Sequence, residues 1–286
     1  MAIVLDNITY TYGVGTPFEK TALHGVSLTV ENGEFLGIIG HTGSGKSTFV
    51  QHLNGLLHPT TGTVTVNGVD ISASTEEAKK MRHKVGMVFQ YPEHQLFEET
   101  IAEDIAFGPK NLGLSADEVD ERVRDAMKFV GLDYDTYAER SPFHLSGGQM
   151  RRVAIAGVVA MNPDFLVLDE PSAGLDPFGR EEIFEEIIRL HKEKGITVIL
   201  VSHNMEDISR MASRLVVLDK GRIVLDGEPM DIFNNHRDEL QAVGVDVPPV
   251  SVTMEFLREQ GLAVSNRVLS VDDAVQAILE GGSHVK

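Results

Sequence analysis

The residues best suited to chemistry lie in one glycine-rich stretch near the amino terminus. The stretch contains the pattern G-x-x-x-x-G-K-[ST] and reads, in order, Gly40, His41, Thr42, Gly43, Ser44, Gly45, Lys46, Ser47 and Thr48. Its glycines let the backbone turn so that several N–H groups point into one concavity, which suits an anion. Lys46 can reach the outer phosphates of a nucleotide, and the Ser47 hydroxyl can ligate Mg²⁺.

Two predicted elements position this stretch. The apolar run 35–39 reads as a buried strand before it, and a helical pattern after it places Phe49, Val50, Leu53 and Leu56 on one face. The positive end of that helix adds to the anion site. A glycine-rich turn that merely joins two elements is the alternative, which the full motif in a strand–loop–helix context disfavours. The sequence therefore predicts that residues 40–48 bind a nucleoside triphosphate.

A second candidate group is a pair of carboxylates, Asp169 and Glu170, that follows the apolar run 165–168. A wholly apolar strand suits the middle of a parallel sheet, and ligands bind at the carboxyl ends of such strands. Asp169 at that edge could hold Mg²⁺, directly or through water, and Glu170 could take a proton from an attacking water. The alternative, two solvated carboxylates at the start of a loop, fits poorly with a phosphate-binding loop earlier in the chain.

Three further side chains end predicted strands. Gln90 follows the strand 85–89, and His203 follows the strand 197–201. Because the carboxyl ends of parallel strands meet at one sheet edge, we expect both beside Asp169, where His203 contacts a γ-phosphate rather than serving structure alone. Tyr12 ends the first strand beside Gly13 and could stack on a base, with sheet packing as the alternative. For Tyr10, two residues earlier, sheet packing is the preferred interpretation.

The segment Leu145–Gln149 opens another predicted helix. Ser146 and Gln149 have the S-x-x-Q spacing of a capping box, so a well-formed helix start is expected. Gly147 and Gly148 allow close approach of a phosphate, which makes this helix end a second candidate anion site. The alternative is a good cap and nothing more.

Composition excludes several classes of protein. The chain has 286 residues, 25 Lys and Arg against 43 Asp and Glu, a net charge of −18, and no cysteine. Disulfides and thiolate metal sites are therefore absent, and no apolar run approaches the roughly 20 residues that span a bilayer. The negative charge disfavours nucleic acid as a partner. Residues 93–140 have a net charge of −8. This charge lies either on a solvated helical face or on a docking surface for a basic partner.

The order of elements predicts an α/β fold. Strands at 3–12 and 23–31 form an amino-terminal antiparallel β-subdomain, and the buried strands predict a mixed, mainly parallel sheet. We predict an ATPase domain over residues 1–230, with an inserted helical subdomain at about 92–162 that is broken at Gly108-Pro109 and near Gly131. Residues 231–286 form a helical extension that serves packing or assembly.

Together these motifs resemble the ATP-binding cassette (ABC) ATPases, which have a P-loop NTPase (RecA-like) core. The resemblance covers roughly residues 3–228, and its carriers, in order, are the phosphate loop 40–48, Gln90, the signature segment Leu145–Gln149, Asp169-Glu170, the D-loop Ser172–Asp176, and His203. A narrower resemblance is to the A-components of energy-coupling factor (ECF) transporters, which include cobalt and vitamin importers. It is carried by the runs Phe89–Phe97, Asp104–Pro109, Gln149–Gly157 and Leu168–Asp176, the last of which is similar to the second A-component subtype.

This resemblance implies an ATPase that energises uptake of vitamins or transition-metal ions. It implies two ATPase subunits, identical or different, closing head-to-tail, so that Ser146 and Gly148 of one meet the γ-phosphate held by Lys46 of the other. Glu170 would activate water, His203 and Gln90 would position it, and Mg²⁺ would lie on Ser47, Gln90 and Asp169. The resemblance also implies a peripheral place on the cytoplasmic side of the cell membrane. There a transmembrane T-component would dock a basic coupling helix near residues 91–108, and a membrane S-component would bind the solute.

Two other functions are weighed against transport. The first is a non-transport ABC ATPase that acts in DNA repair, translation or cofactor assembly. Repair types need a long coiled-coil insertion and translation types need two cassettes in one chain, and this sequence has neither. A non-hydrolysing ATP sensor is expected to lack the acid after Asp169, whereas Glu170 is present.

Overall fold

A small antiparallel sheet forms the amino-terminal part of the fold in the computed structural model, which describes residues 1–265 and 267–282. With strands numbered along the chain, its spatial order is β2-β1-β4-β5, and its members are β1 (Ala2–Tyr12), β2 (Lys20–Glu31), β4 (Thr61–Val66) and β5 (Val69–Asp70). A turn with positive φ at Asn67 and Gly68 joins β4 to β5. The predicted antiparallel subdomain is confirmed.

The main sheet is the mixed, mainly parallel sheet that the sequence predicts. Its order is β10-β9-β3-β8-β7-β6, and only β9 and β10 are antiparallel. Its strands are β3 (Phe35–Ile39), β6 (Val85–Val88), β7 (Phe165–Asp169), β8 (Thr197–Val201), β9 (Arg214–Asp219) and β10 (Arg222–Gly227). Every residue of β3, β6, β7 and β8 is buried, as expected for strands covered on both faces.

Alternate residues of these strands enter two hydrophobic cores. In β7, Leu166 and Leu168 pack with the inserted helices, whereas Phe165 and Val167 pack with α1 and the amino-terminal sheet. The phosphate loop and the helix after it are therefore held between the two sheets.

Four helices lie outside the inserted and carboxy-terminal regions: α1 (Lys46–Leu53), α2 (Glu76–Arg82), α7 (Pro177–Lys194) and α8 (Met205–Met211). Asp176 caps α7 by accepting a 2.8 Å hydrogen bond from the Gly179 N–H. Helix α1 is shorter than predicted. It ends at Leu53 because Gly55 turns the chain at φ 74°, and Leu56, expected on the buried face, is exposed.

The inserted helical region comprises α3 (Ile101–Asn111), α4 (Ala116–Phe129), α5 (Tyr134–Tyr137) and α6 (Gly147–Ala160). The predicted break near Gly131 is confirmed, since α4 ends there and Gly131 has φ 69°. The predicted break at Gly108-Pro109 is wrong, because α3 runs through both residues. Pro109 lies in the last turn, where it removes a single helix hydrogen bond. Gly108 packs so closely that a Cβ would lie 2.7 Å from Met161 Cγ.

The carboxy-terminal part contains α9 (Pro229–Asn235), α10 (Arg237–Ala242), α11 (Pro249–Glu259) and α12 (Val271–Gly282). Phe233 of α9 and Leu240 of α10 belong to the hydrophobic core between the main sheet and the inserted helices. Helices α11 and α12 pack around a separate small cluster of Met254, Val264, Val268 and Ala274. The division at residues 230 and 231 stays a prediction, and residues 283–286 of the predicted extension lie outside the described residues. Over the described chain, no helix combines the length and apolarity needed to cross a bilayer.

Candidate active site

A cleft of about 620 Å³ opens where β6, β7 and β8 end, beside the phosphate loop. Eleven of the predicted site residues line it: Tyr12, Thr42, Gly43, Gly45, Lys46, Ser47, Thr48, Gln90, Asp169, Glu170 and His203. Gly40, His41 and Ser44 belong to the same loop but do not line the cleft. The parallel sheet thus brings groups from four distant stretches of sequence to one edge, as expected from strand ends.

Two of the three glycines of the phosphate loop, Gly40 and Gly45, are required by close backbone packing. At Gly40, a Cβ would lie 2.3 Å from the carbonyl oxygen of Leu218. At Gly45, φ is 107°, and a Cβ would lie 3.0 Å from the carbonyl oxygen of Ala22. Any other residue at Gly40 or Gly45 would push the loop away from β9 or β2.

The tip of the β9–β10 hairpin contacts and stabilises the phosphate loop. The sequence analysis did not predict this contact. The N–H of Gly221 donates to the carbonyl of Ser44 at 2.8 Å, and the N–H of His24 donates to the carbonyl of Gly221 at 2.9 Å. His41 Nε2 lies 2.9 Å from a carboxylate oxygen of Asp219. The cleft also contains six lining residues that were not predicted: Lys20, Thr21, Ala22, His24, Lys220 and Gly221. No local motif marks them, because only tertiary packing brings β2 and the hairpin together.

Lys46 is almost wholly buried, and its ammonium group donates to the carbonyls of Gly40 at 2.7 Å and His41 at 3.0 Å. Burial lowers the pKa of Lys46, and the carboxylates of Glu170 and Asp169 oppose that shift. The Lys46 ammonium group therefore interacts electrostatically with both carboxylates. A phosphate bound in the cleft would add further negative charge beside it.

The two carboxylates differ in environment. Burial raises the pKa of Asp169, opposed first by a hydrogen bond from Ser47. Burial raises the pKa of Glu170 further, to about 7, and the backbone of His203 opposes that shift. Glu170 has φ 53°, a left-handed conformation that is uncommon outside glycine, and His203 Nε2 lies 3.3 Å from its Oε1. Among the described residues, that buried oxygen accepts no hydrogen bond. A carboxyl group with a pKa near 7 can exchange a proton at neutral pH.

The oxygen donors at this edge fit Mg²⁺. Ser47 and Asp169 touch through their hydrogen bond, and Gln90 lines the same cleft. The described residues contain no cluster of three or more His, Cys, Asp or Glu that could hold a metal alone. One carboxylate with neutral oxygens suits a small hard cation that completes its shell with water and substrate phosphates.

Tyr12 lies at the mouth of the cleft. Its hydroxyl is 3.1 Å from that of Thr48, and its ring meets Tyr10 edge-on at 4.7 Å between centroids. Tyr10 in turn packs on His52, so it serves the sheet as expected. The ring of Tyr12 is 41% exposed and remains available to a base.

The signature segment forms the predicted capping box at the start of α6. Ser146 Oγ accepts from the Gln149 N–H at 3.3 Å, and Gln149 Oε1 accepts from the Ser146 N–H at 3.1 Å. A Cβ on Gly147 or Gly148 would meet nothing within 4 Å, so this helix start is open. None of the four residues lines the cleft of its own chain.

Burial of Glu170 predicts a pH-dependent stability. Its pKa is 4.5 unfolded and about 7 folded, so between these values the folded chain keeps a proton that the unfolded chain releases. Stability therefore falls as pH rises from 4.5 to 7. Glu170→Gln removes this loss, and we expect the variant to exceed the wild type by about 1–3 kcal/mol at pH 8 and to match it near pH 4.5. Urea unfolding without nucleotide or Mg²⁺ measures this. The exposed Glu185→Gln serves as control, and a pH-independent difference would contradict the assignment.

Comparison with known proteins agrees with this geometry. The family model described as ABC transporter matches residues 23–173. Energy-coupling factor transporter ATP-binding proteins EcfA2 from Clostridium tetani and Bacillus cereus are 53% and 50% identical, over 98% and 99% of this chain and 97% and 98% of theirs.

Two solved structures share the fold. CbiO1 from Clostridium perfringens, part of the ABC transporter complex CbiONQ, has a TM-score of 0.73 at 36% identity, covering 84% of this chain and 94% of that chain. A dimeric ATP-binding cassette in a post-hydrolysis state with ADP and phosphate has a TM-score of 0.70 at 32% identity, covering 79% of this chain and 98% of that chain. The chain belongs to the ABC transporter family and, within it, to the ATP-binding proteins of energy-coupling factor transporters.

Proposed function

We propose that this ATPase energises an ECF-type importer that takes up a vitamin or a transition-metal ion. The proposal rests on one observation: the predicted site residues fall into two separate groups. One cleft combines the phosphate loop with Gln90, Asp169, Glu170 and His203, whereas the signature segment lies outside it. Such a chain can bind a nucleotide in its own cleft. The start of α6 then remains free to contact the nucleotide of another subunit.

Within the cleft, Lys46 and the loop N–H groups bind the phosphates of ATP. Glu170 accepts the proton of the attacking water, because its raised pKa matches a base that works near neutrality. His203, next to Glu170 Oε1, and Gln90 orient that water. Ser47, Gln90 and Asp169 would hold Mg²⁺, which supplies compensation for charge on the phosphates.

The open start of α6 is proposed to complete the site of a second ATPase subunit, identical or different. Its two glycines leave room for a phosphate, and its N–H groups present partial positive charge. Head-to-tail pairing would bring Ser146 and Gly148 of one subunit to the nucleotide on Lys46 of the other. The related cassette with ADP and phosphate was solved as a dimer, which supports the arrangement.

The transmembrane partner is proposed to dock near residues 91–108. This stretch exposes Tyr91, Phe97 and Phe107, and the last two rings meet edge-on at 4.8 Å. The surrounding residues 93–140 carry the excess of carboxylates, which complements a basic coupling helix of a T-component. A separate S-component would choose the solute, and this chain would lie on the cytoplasmic side of the cell membrane.

A pull-down from native membranes in mild detergent tests the transport assignment. We expect the tagged chain to recover a protein with several membrane spans. Phe107→Asp, which places a carboxylate on the proposed docking surface, should reduce that recovery at least about fivefold, since an unpaired interfacial charge costs 1 kcal/mol or more. Phe18→Asp, at an 87% exposed site on the β1–β2 loop, should not. Recovery of soluble partners alone would favour the non-transport ATPase.

A further inference from the structure

Arg151 is the largest side chain in the fold that is fully buried, with 2% exposure. It lies on α6, two residues after the signature segment. Its Nε and Nη2 donate to the carboxylate of Glu93 at 3.1–3.3 Å. Its Nη1 donates to the carbonyls of Pro171 at 3.0 Å and Ala173 at 2.8 Å. All three guanidinium nitrogens therefore have partners, and those partners come from two different segments.

These partners belong to loops that the proposed site uses. Glu93 lies in the short 3₁₀ turn Pro92–Gln95, which begins two residues after Gln90. Pro171 and Ala173 lie between Glu170 and the D-loop carboxylate Asp176. A single buried cation thus joins the signature helix, the turn after Gln90 and the chain after Glu170.

The two loops also lie side by side at Tyr91. A Cβ added to Gly174, in the D-loop, would lie 3.9 Å from the ring of Tyr91. Tyr91 itself has φ 58°, a conformation that costs free energy in a non-glycine residue and persists only where the surroundings hold it. Glu93, two residues after Tyr91, is held by its ion pair with Arg151, which can stabilise this turn.

The geometry requires a guanidinium. Its planar fork can meet a carboxylate on one side and two carbonyls on the other, whereas an ammonium group is a point donor on a flexible stem. Removing one partner would leave Glu93, whose side chain is 17% exposed, without its counter-charge in a mostly buried place.

We propose that Arg151 is a positioning residue for ATP hydrolysis. By holding α6, the Gln90 turn and the D-loop as one unit, it sets where Gln90 lies in its own cleft and where Ser146 and Gly148 meet the partner's nucleotide. The proposal rests on the roles proposed above for Gln90 and the signature segment. The hydrogen-bond partners of Arg151 are Glu93, Pro171 and Ala173, none of which belongs to the phosphate loop, so it acts on turnover and not on nucleotide binding.

The test compares Arg151→Lys and Glu93→Gln with the wild type, using the full-length chain alone and in the complex recovered from membranes. We expect kcat for ATP hydrolysis to fall about 10- to 100-fold, the loss typical of groups misplaced by about 1 Å. The Kd for a fluorescent ATP analogue should stay within about threefold, because the phosphate loop is unchanged. Combining the two substitutions should add little, since both break one interaction.

Arg152→Gln is the matched control, because Arg152 is the next residue on α6 and pairs with Glu182 instead. It should keep kcat within about twofold of the wild type. The proposal is overturned if Arg151→Lys and Glu93→Gln both keep kcat within that range, or if Kd weakens as much as kcat falls. Should Arg151→Lys fail to fold, Glu93→Gln alone decides. Lys46→Ala tests the proposed ATP site independently of the role of Arg151. Full ATP hydrolysis in that variant would reject the site itself, whatever the result for Arg151.

Discussion

Glu170→Gln is expected to lower ATP hydrolysis by at least about 100-fold, the contribution typical of a positioned general base. Glutamine keeps the shape of the side chain but cannot accept a proton. Nucleotide binding should persist, because Lys46 and the phosphate loop are unchanged. ATP should therefore hold two subunits together without being consumed. Phosphate release measures the first effect, and size-exclusion chromatography with ATP measures the second.

The exposed Glu185→Gln on α7 supplies the matched control, since it makes the same chemical change away from the cleft. Both variants are compared above pH 7, where Glu170 in the folded chain is mostly ionised. Near-normal hydrolysis in Glu170→Gln would remove this residue from its role and shift attention to His203.

Lys46→Ala and Gly148→Asp should both abolish hydrolysis, but for different reasons. Lys46→Ala removes a charged donor from the cleft, and we expect ATP affinity of the single chain to fall about 10- to 100-fold. Gly148→Asp places a carboxylate on the open start of α6, where it repels a partner's phosphates. Because a Cβ there would meet no atom within 4 Å beyond its chain neighbours and its own helix backbone, the variant should fold and bind ATP normally. Binding of a fluorescent ATP analogue to the monomer, beside ATP turnover, separates the two.

Gly148→Ala controls for bulk, because it adds a methyl group without charge and should retain more activity than Gly148→Asp. Exposed Lys192→Ala controls for loss of a positive charge elsewhere on the chain. If Gly148→Asp weakened ATP binding in the single chain as strongly as Lys46→Ala does, the signature segment would belong to the cleft of its own chain, and head-to-tail pairing would lose its support.

Local patterns predicted the strands and the site groups at their ends well. The runs 165–168 and 197–201 are wholly apolar, which identifies central parallel strands, and topology then places Asp169 and His203 at one edge. Ser146 and Gln149 predicted their capping box from spacing alone. In each case the information lies within a few neighbouring residues.

The features that were missed or wrong depend on contacts between distant parts of the chain. Pro109 suggests a break, yet the close packing of Gly108 on Met161 and the position near the helix end let α3 continue. Lys220 and Gly221 read as an ordinary hairpin turn, and only the folded chain places them at the phosphate loop. Arg151 reads as one of two consecutive basic residues on a helix, and nothing local indicates that it is buried against Glu93.

The hairpin that braces the phosphate loop also has a consequence for how the protein is made. His41 and Asp219, which touch in the finished fold, are 178 residues apart. The loop therefore leaves the ribosome long before the strands that close against it, and contacts of such separation form late. A nascent chain that ends before β9 lacks the partner of the Ser44 carbonyl. We therefore expect the phosphate loop to reach its final conformation only after the hairpin has been synthesised.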